Sequence, residues 1–161
     1  MFYADVIKKF NSAQVKYAIV GGVAVNLHGY VRMTVDMDII LELEDKNLAK
    51  AVTIMRESGF TCKVPVDPIG LADTKTRQDW IENKNLKALN FYRKSEEVDF
   101  VIDTNVKYEN VKISILSIRD IHYPIVSKED LIKMKTGTGR EKDKEDIRNL
   151  LNLIEIEKGL F

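Results

Sequence analysis

Two aspartates separated by one apolar residue, Asp36 and Asp38, lie shortly after a pair of glycines, Gly21 and Gly22. Carboxylates at positions i and i+2 of a strand project from the same face of a sheet. Such oxygens are the ligands that Mg²⁺ prefers, usually together with substrate phosphates. Unpaired N–H groups where a helix follows the glycines favour an anion. The four residues together predict metal-assisted phosphoryl or nucleotidyl transfer.

The segments around these residues have to hold them in place. The apolar run 17–20 predicts a buried strand that the glycines end, and residues 23–28 predict a short helix. Residues 32–43 alternate between polar and apolar types, which predicts the next strand. A period of two places four polar residues on one face and four apolar residues in the core: Arg32, Thr34, Asp36 and Asp38 against Met33, Val35, Met37 and Ile39.

Residues 20–22 (Val-Gly-Gly) and 36–39 (Asp-Met-Asp-Ile) resemble the signature of the DNA polymerase β-like nucleotidyltransferase superfamily. Residues 97–101, in which apolar neighbours flank Asp99, resemble the strand that carries the third carboxylate of that family. The match extends over most of the chain.

Two further segments carry the resemblance. Residues 71–73, with Arg77 and Trp80, are similar to the middle of small stand-alone members. The C-terminal part is similar to their helical signature, and to that of abortive-infection nucleotidyltransferase toxins. It comprises residues 127–132 and four charged side chains: Lys135, Arg140, Asp143 and Asp146.

The resemblance implies a nucleotidyltransferase fold and transfer of a nucleoside monophosphate from a triphosphate such as ATP to a hydroxyl, with release of pyrophosphate. It implies that Asp36, Asp38 and Asp99 are catalytic and hold Mg²⁺ or Mn²⁺. The residues that it implies for nucleotide binding are Gly21, Gly22, Arg32, Thr34 and Lys135. The acceptor stays open between a small molecule, a protein hydroxyl and an RNA end.

Other interpretations of the same residues stay open. Asp36 and Asp38 could be solvated acids on an edge strand, and Asp99 could pair with Arg32 or a lysine. Arg32 could bind the triphosphate or neutralise the acids. Arg77 and Trp80 could cover the base or stabilise a loop. Two alternatives belong to other classes. One is a non-catalytic nucleotide- or partner-binding module of a toxin–antitoxin-like system. The other is a structural homodimer whose acid cluster binds no metal, with an exposed sheet edge and the C-terminal helix forming the interface.

The remaining periodicity predicts an α/β domain over residues 1–161, with a core at 15–126 and C-terminal helices at 127–158. We expect a mixed, twisted sheet with helices packed mainly on one side. Proline residues predict an irregular, mobile stretch from Pro65 to about Glu82. The other predicted strands are 60–64, 86–92, 98–102, 111–116 and 121–126. The other predicted helices are 3–11, 46–58 capped by Asp45, one that Ser127 caps, and 142–157.

Composition narrows the class of protein. The 161 residues carry a formal net charge of zero, and the basic excess of many polynucleotide-binding proteins is missing. The single cysteine excludes an intramolecular disulfide and a cysteine-built zinc site. No apolar run approaches the roughly 20 residues that span a bilayer. The N-terminal residues do not form a signal-peptide pattern. We therefore expect a cytoplasmic protein that does not bind membranes.

Overall fold

The computed structural model describes residues 3–159, in which a seven-stranded mixed sheet is combined with six α-helices. The strands are β1 (Tyr17–Val20), β2 (Asp36–Leu41), β3 (Thr61–Cys62), β4 (Ala88–Arg93), β5 (Glu96–Val101), β6 (Ile113–Ile118) and β7 (Ile121–Val126). The helices are α1 (Ala4–Ser12), α2 (Gly21–Leu27), α3 (Asp45–Glu57), α4 (Thr74–Glu82), α5 (Lys128–Lys135) and α6 (Glu141–Glu157), with 3-10 turns at Pro68–Ala72 and Tyr108–Asn110. The predicted α/β class is confirmed. Residues 1, 2, 160 and 161, which the predicted domain includes, lie outside the described residues.

The strand order β3-β4-β5-β2-β1-β7-β6 places β2 at the centre of the sheet. β2 runs antiparallel to β1 and parallel to β5. The register pairs Val20 with Asp38 across one side and Asp38 with Asp99 across the other. Gly21 and Gly22 begin α2 directly after β1 and are called the glycine turn below. The glycine turn and the two acid-bearing strands therefore meet at the same place.

The main core lies on the face of the sheet opposite the aspartates. Val98 and Phe100 of β5 are fully buried, whereas Asp99 between them is only partly buried. Helix α1 covers this face, and the ring of Phe10 lies 6.4 Å from that of Phe100. Phe91 of β4 packs beside Phe100 at 4.8 Å. This alternation along β5 fixes which face Asp99 occupies.

The strand predicted for residues 32–43 is shorter in the structure. It begins at Asp36, and residues 30–35 form a loop in which Met33 and Val35 are 91% and 71% exposed. Their predicted burial in the core is wrong. The neighbouring strands explain the difference, since β1 ends at Val20 and the β5 ladder begins at the pair Asp36–Glu97. Residues before Asp36 therefore have no strand to pair with.

The stretch predicted as irregular, residues 65–82, is folded instead. It contains the 3-10 turn and α4, whose N-terminal N–H at Thr76 donates to the side chain of Asp73. Arg77 is buried and donates to the carbonyl oxygens of Leu71 and Leu43. Trp80 packs so closely on Gly70 that a Cβ there would lie 2.7 Å from the indole. Proline is compatible with a first helical turn, so the proline residues do not prevent folding here. The tertiary contacts of Arg77 and Trp80 order the stretch.

The other elements agree with the predictions to within a few residues, apart from two details. β3 is limited to Thr61–Cys62, and α3 is capped by Glu44, which accepts from the backbone of Lys46 and Asn47, rather than by Asp45. Ser127 caps α5 as predicted. Among the described helices, none combines the length and the apolarity needed to cross a lipid bilayer.

Candidate active site

Three carboxylates meet on one face of the sheet where β2 and β5 lie side by side. Asp38 is paired in register with Asp99, and Asp36 shares their face because it precedes Asp38 by two residues. One carboxylate oxygen from each residue lies within 4.8 Å of the others. Oxygens on opposite sides of a Mg²⁺ ion stand about 4.2 Å apart. The group, called the acid triad below, therefore has the dimensions of a divalent-cation site.

The acid triad is electrostatically unfavourable as it stands. Burial, with the negative charges of Asp36 and Asp99, raises the pKa of Asp38 to about 7. Burial and the charge of Asp36 also raise the pKa of Asp99. Positive charge on Lys135 and Arg140 opposes the shift at Asp38 only partly. Full ionisation of the triad therefore favours a bound cation.

The positive charges of the described residues do not pair directly with these acids. Within residues 3–159, no lysine or arginine forms an ion pair with any member of the acid triad. Oδ1 of Asp99 is buried and has no hydrogen-bond partner in the described part of the chain. A buried polar atom without a partner is costly. The donor set is all carboxylate oxygen, so the site fits a hard divalent cation.

Gly21 and Gly22 make the close approach of β1, β2 and the following loop sterically feasible. Gly21 has a φ of +65°, and a Cβ at this position would lie 2.1 Å from Oδ2 of Asp38. A Cβ on Gly22 would lie 2.7 Å from Oγ1 of Thr34 and 2.9 Å from Nη2 of Arg32. The two glycines therefore border the acid triad on one side and the loop before β2 on the other.

A cleft of about 730 Å³ surrounds the acid triad. This volume lies in the range of small-molecule sites. One wall is formed by the sheet and the glycine turn, and the other by α5 and the segment 136–143. Four cationic side chains line it besides Arg32: Lys87, Lys135, Arg140 and Lys142. The cleft therefore combines a cation site with positive groups that suit phosphates.

A network of buried charges, called the C-terminal network below, joins α5 and α6 to the loop before β2. Asp146 is fully buried and accepts two hydrogen bonds of 2.8 Å from the guanidinium of Arg32. Nζ of Lys135 lies 2.9 Å from Asp146 and 3.2 Å from Asp143. Asp143 also accepts from Thr138 and Arg140. Every buried charge in this network has an opposite partner.

The structure brings the eight predicted site residues to one cleft. The acid triad, Gly21, Gly22, Arg32, Thr34 and Lys135 all line it. Arg32 forms its ion pair with Asp146, so the predicted alternative in which it pairs with Asp99 is wrong. Asp103, just beyond the end of β5, forms an ion pair with Lys87.

Some cleft residues escaped the sequence analysis. Lys87, Thr138 and Lys142 were not predicted, and Arg140 had no assigned role. Lys87 directly precedes β4, the strand that pairs with β5 beside Asp99, so its place in the sequence could have predicted a position near the acids. No sequence pattern indicated Thr138 or Lys142, because only the packing of α5 and α6 turns the segment 136–143 toward the acids. Arg77 and Trp80 do not line the cleft and stabilise the region around α4.

Three solved structures show the same fold. The lincosamide antibiotic adenylyltransferase LnuA, solved with lincomycin bound, has 21% identity and a TM-score of 0.63, with 94% of each chain covered. ANT(2″)-Ia, in complex with adenylyl-2″-tobramycin, has 14% identity and a TM-score of 0.61, with 98% of this chain and 90% of that chain covered. An antigenic nucleotidyltransferase-like protein from Paracoccidioides brasiliensis has 18% identity and a TM-score of 0.59, with 96% and 74% covered.

The sequence itself gives the family. No protein with a curated description matches it significantly. The model of a family described as "Nucleotidyltransferase of unknown function (DUF6036)" matches residues 4–158. This range includes the glycine turn, the acid triad and the C-terminal network. The chain therefore belongs to this family of nucleotidyltransferases, as its sequence motifs predicted.

Proposed function

We propose that the protein binds a nucleoside triphosphate, ATP in the first instance, with Mg²⁺ or Mn²⁺, and transfers the nucleoside monophosphate to a hydroxyl acceptor. One observation carries the proposal: three carboxylates that have no ion-pair partner among residues 3–159 lie together in a cleft whose opposite wall carries Lys135, Arg140 and Lys142. ATP is favoured because two proteins with this fold are described with adenylyl transfer or an adenylyl product.

Each part of the cleft has a task in this proposal. Asp36, Asp38 and Asp99 hold the cation, which when bound withdraws charge from the phosphates and lowers the pKa of the attacking hydroxyl. Gly21 and Gly22 leave room for the triphosphate beside Asp38. Cationic side chains of the opposite wall offset the phosphate charge: Lys135, Arg140 and Lys142.

The reaction is an in-line displacement at the α-phosphate. The acceptor oxygen forms a bond to the α-phosphorus, and the bond from this phosphorus to the oxygen bridging the α- and β-phosphates breaks. Pyrophosphate leaves with the electron pair, and the hydroxyl proton passes by way of the Asp99 carboxylate to water. Charges that the fold holds in position where negative charge develops stabilise such a transition state.

The test separates binding from transfer. ATP labelled at the α-phosphate is incubated with the protein, Mn²⁺ and a cell extract, and the release of pyrophosphate and the labelled product are measured. We expect Asp99→Ala to keep triphosphate affinity within a few-fold and to reduce turnover by about 10²–10⁴-fold. Asp120→Ala, at an exposed aspartate outside the cleft, is the matched control and should behave as wild type.

Two results would contradict the proposal. Turnover by Asp99→Ala at the wild-type rate would remove Asp99 from catalysis. Tight binding of the triphosphate by the wild-type protein, with no turnover against any extract fraction, would instead support the non-catalytic binding module.

A further inference from the structure

Strand β6 forms one edge of the sheet and is open along its outer side. It pairs with β7 and, within residues 3–159, with no other strand. The opposite edge, β3, has only two residues, whereas β6 has six. Edge strands are usually short, charged or interrupted by proline, because their free backbone groups pair with other chains. The sequence of β6, Ile-Ser-Ile-Leu-Ser-Ile, contains neither a charged residue nor a proline. It is therefore the edge better suited to pairing with another strand.

The backbone groups that β6 leaves unpaired follow from its ladder with β7. The N–H of Ser127 donates to the carbonyl oxygen of Lys112, and this pair continues the register in which Ile113 lies opposite Val126. Hydrogen-bonded and non-hydrogen-bonded pairs alternate along an antiparallel ladder. The even-numbered residues of β6 therefore bond to β7. The odd-numbered residues direct their N–H and C=O groups outward: Ile113, Ile115 and Ser117.

The side chains of these three residues share one face of the sheet and are exposed. Ile113 is 36% exposed and Ile115 is 60% exposed. Followed through β7 and β1, the register places them on the face that carries Asp38. β6 nevertheless lies three strands from β2, a separation of roughly 14 Å, and none of its residues lines the catalytic cleft. The edge is therefore a separate surface whose apolar side chains gain free energy when they are covered.

A second copy of the chain satisfies this edge completely. A two-fold axis perpendicular to the sheet relates two antiparallel strands and keeps every side chain on its own face. With the axis at Ile115, this residue lies opposite Ile115 of the second copy, and Ile113 lies opposite Ser117 of the second copy. These are hydrogen-bonded pairs, because all three residues direct their backbone groups outward. The pairing uses every outward N–H and C=O group of β6 and brings the two Ile115 side chains into contact.

The charges at the ends of β6 also fit a second copy. In this register Lys112 lies opposite Ile118 of the second copy and diagonal to Asp120 of the second copy, within reach of a long side chain. Lys112 and Asp120 are exposed and form no ion pair within residues 3–159. Opposite charges therefore come together at both ends of the paired strands, and no like charges lie directly opposite each other.

We propose that the chain forms a homodimer in which β6 pairs antiparallel with β6 of a second copy, about a two-fold axis at Ile115. The two sheets then form one continuous sheet. Such a contact closes on itself, so it gives dimers rather than fibres. β6 supplies six residues, whereas a standard interface takes about 20–30 residues a side. The dimer is therefore weak, with a dissociation constant on the order of 10 μM. The proposal does not depend on the proposed function, because the catalytic cleft lies outside the interface.

The test places charges at the centre of the interface. Ile115→Lys and Ile115→Asp replace an exposed side chain and keep the backbone N–H, so both variants should fold. Either variant alone sets two like charges directly opposite each other and loses the contact between two isoleucines. We expect its dissociation constant to rise about tenfold or more. In an equimolar mixture of the two variants, a lysine faces an aspartate, and association should recover. Sedimentation velocity from about 10 to about 500 μM protein measures these constants.

Val31→Lys, at an exposed apolar position in the loop before β2, is the matched control and should dimerise as wild type. A wild-type protein that stays monomeric over this range would overturn the proposal and leave the edge to a strand of a different protein. A dimer that neither Ile115 variant weakens would overturn it as well. Weakened variants whose mixture does not recover would contradict pairing about Ile115, and assemblies larger than a dimer would contradict the two-fold contact.

Discussion

The acid triad and the C-terminal network are two groups of partly or fully buried aspartates that the protein treats in opposite ways. In the network, Asp143 and Asp146 both accept from Lys135, and Asp146 also holds Arg32 in a bidentate pair. In the triad, the carboxylates face one another across two strands without an ion pair in the described chain. The fold neutralises the charges of the first group, whereas the described residues form no ion pair with the second.

The ionisation of the two groups shows the same contrast. Burial by itself would raise the pKa of Asp143. The hydrogen bond from Thr138 and the charge of Lys135 outweigh this effect and lower that pKa. Burial and neighbouring acids raise the pKa of Asp38 to about 7. A buried carboxylate with partners supports the fold, whereas one among like charges destabilises it until a cation binds. We expect this contrast to distinguish the acids that stabilise the fold from the acids that act in the proposed function.

Removing a triad acid should have the largest effect on function. We expect Asp38→Asn to abolish metal-dependent triphosphate binding, because the cation loses a ligand at the centre of the triad. Thermal unfolding without metal should occur at the same temperature or higher, since one repelling charge is gone. Calorimetric titration with MnATP and a melting curve in EDTA measure the two quantities. Wild-type affinity in this variant would show that the triad is not the metal site.

Removing a network acid should damage stability instead. Asp146→Asn leaves Arg32 without a carboxylate partner and Lys135 with Asp143 alone. Breaking a buried pair in this way costs about 3–5 kcal/mol of unfolding free energy. Glu141→Gln, which breaks an exposed pair with Lys144 on the same helix, should change it by no more than about 0.5 kcal/mol. Urea unfolding of both variants measures the difference. A loss as small for Asp146→Asn as for Glu141→Gln would contradict the structural role of the network.

Gly22 lies where the two regions meet, and its substitution should have the smallest effect of the three. In Gly22→Val the new Cβ would contact Thr34 and Arg32, and overpacking of this kind costs about 1–3 kcal/mol. Triphosphate affinity should also fall, because Arg32 is displaced beside the phosphate site. Adding Thr34→Ala removes the nearer contact and should recover part of the stability in a double-mutant cycle. If the double variant recovered no stability, the contact with Thr34 would not be the cause of the destabilisation.

Local patterns in the sequence predicted part of this site. The i, i+2 spacing puts Asp36 and Asp38 on one face of β2 whatever strands surround it. Ser127 begins α5 because its side chain caps the backbone within one turn. The limit of such reasoning is seen at Met33 and Val35, which alternate correctly but are exposed because the ladder starts only at Asp36.

The shared face of the two neighbouring aspartates and the end of β1 at the glycines follow from local sequence alone, since they depend on chain geometry over a few residues. The tertiary structure decided the register that places Asp99 opposite Asp38, and the choice of Asp146 rather than the acid triad as the partner of Arg32. It also folded residues 65–82 around Arg77 and Trp80. These outcomes depend on contacts between residues far apart in the chain, whose free energies no local pattern encodes.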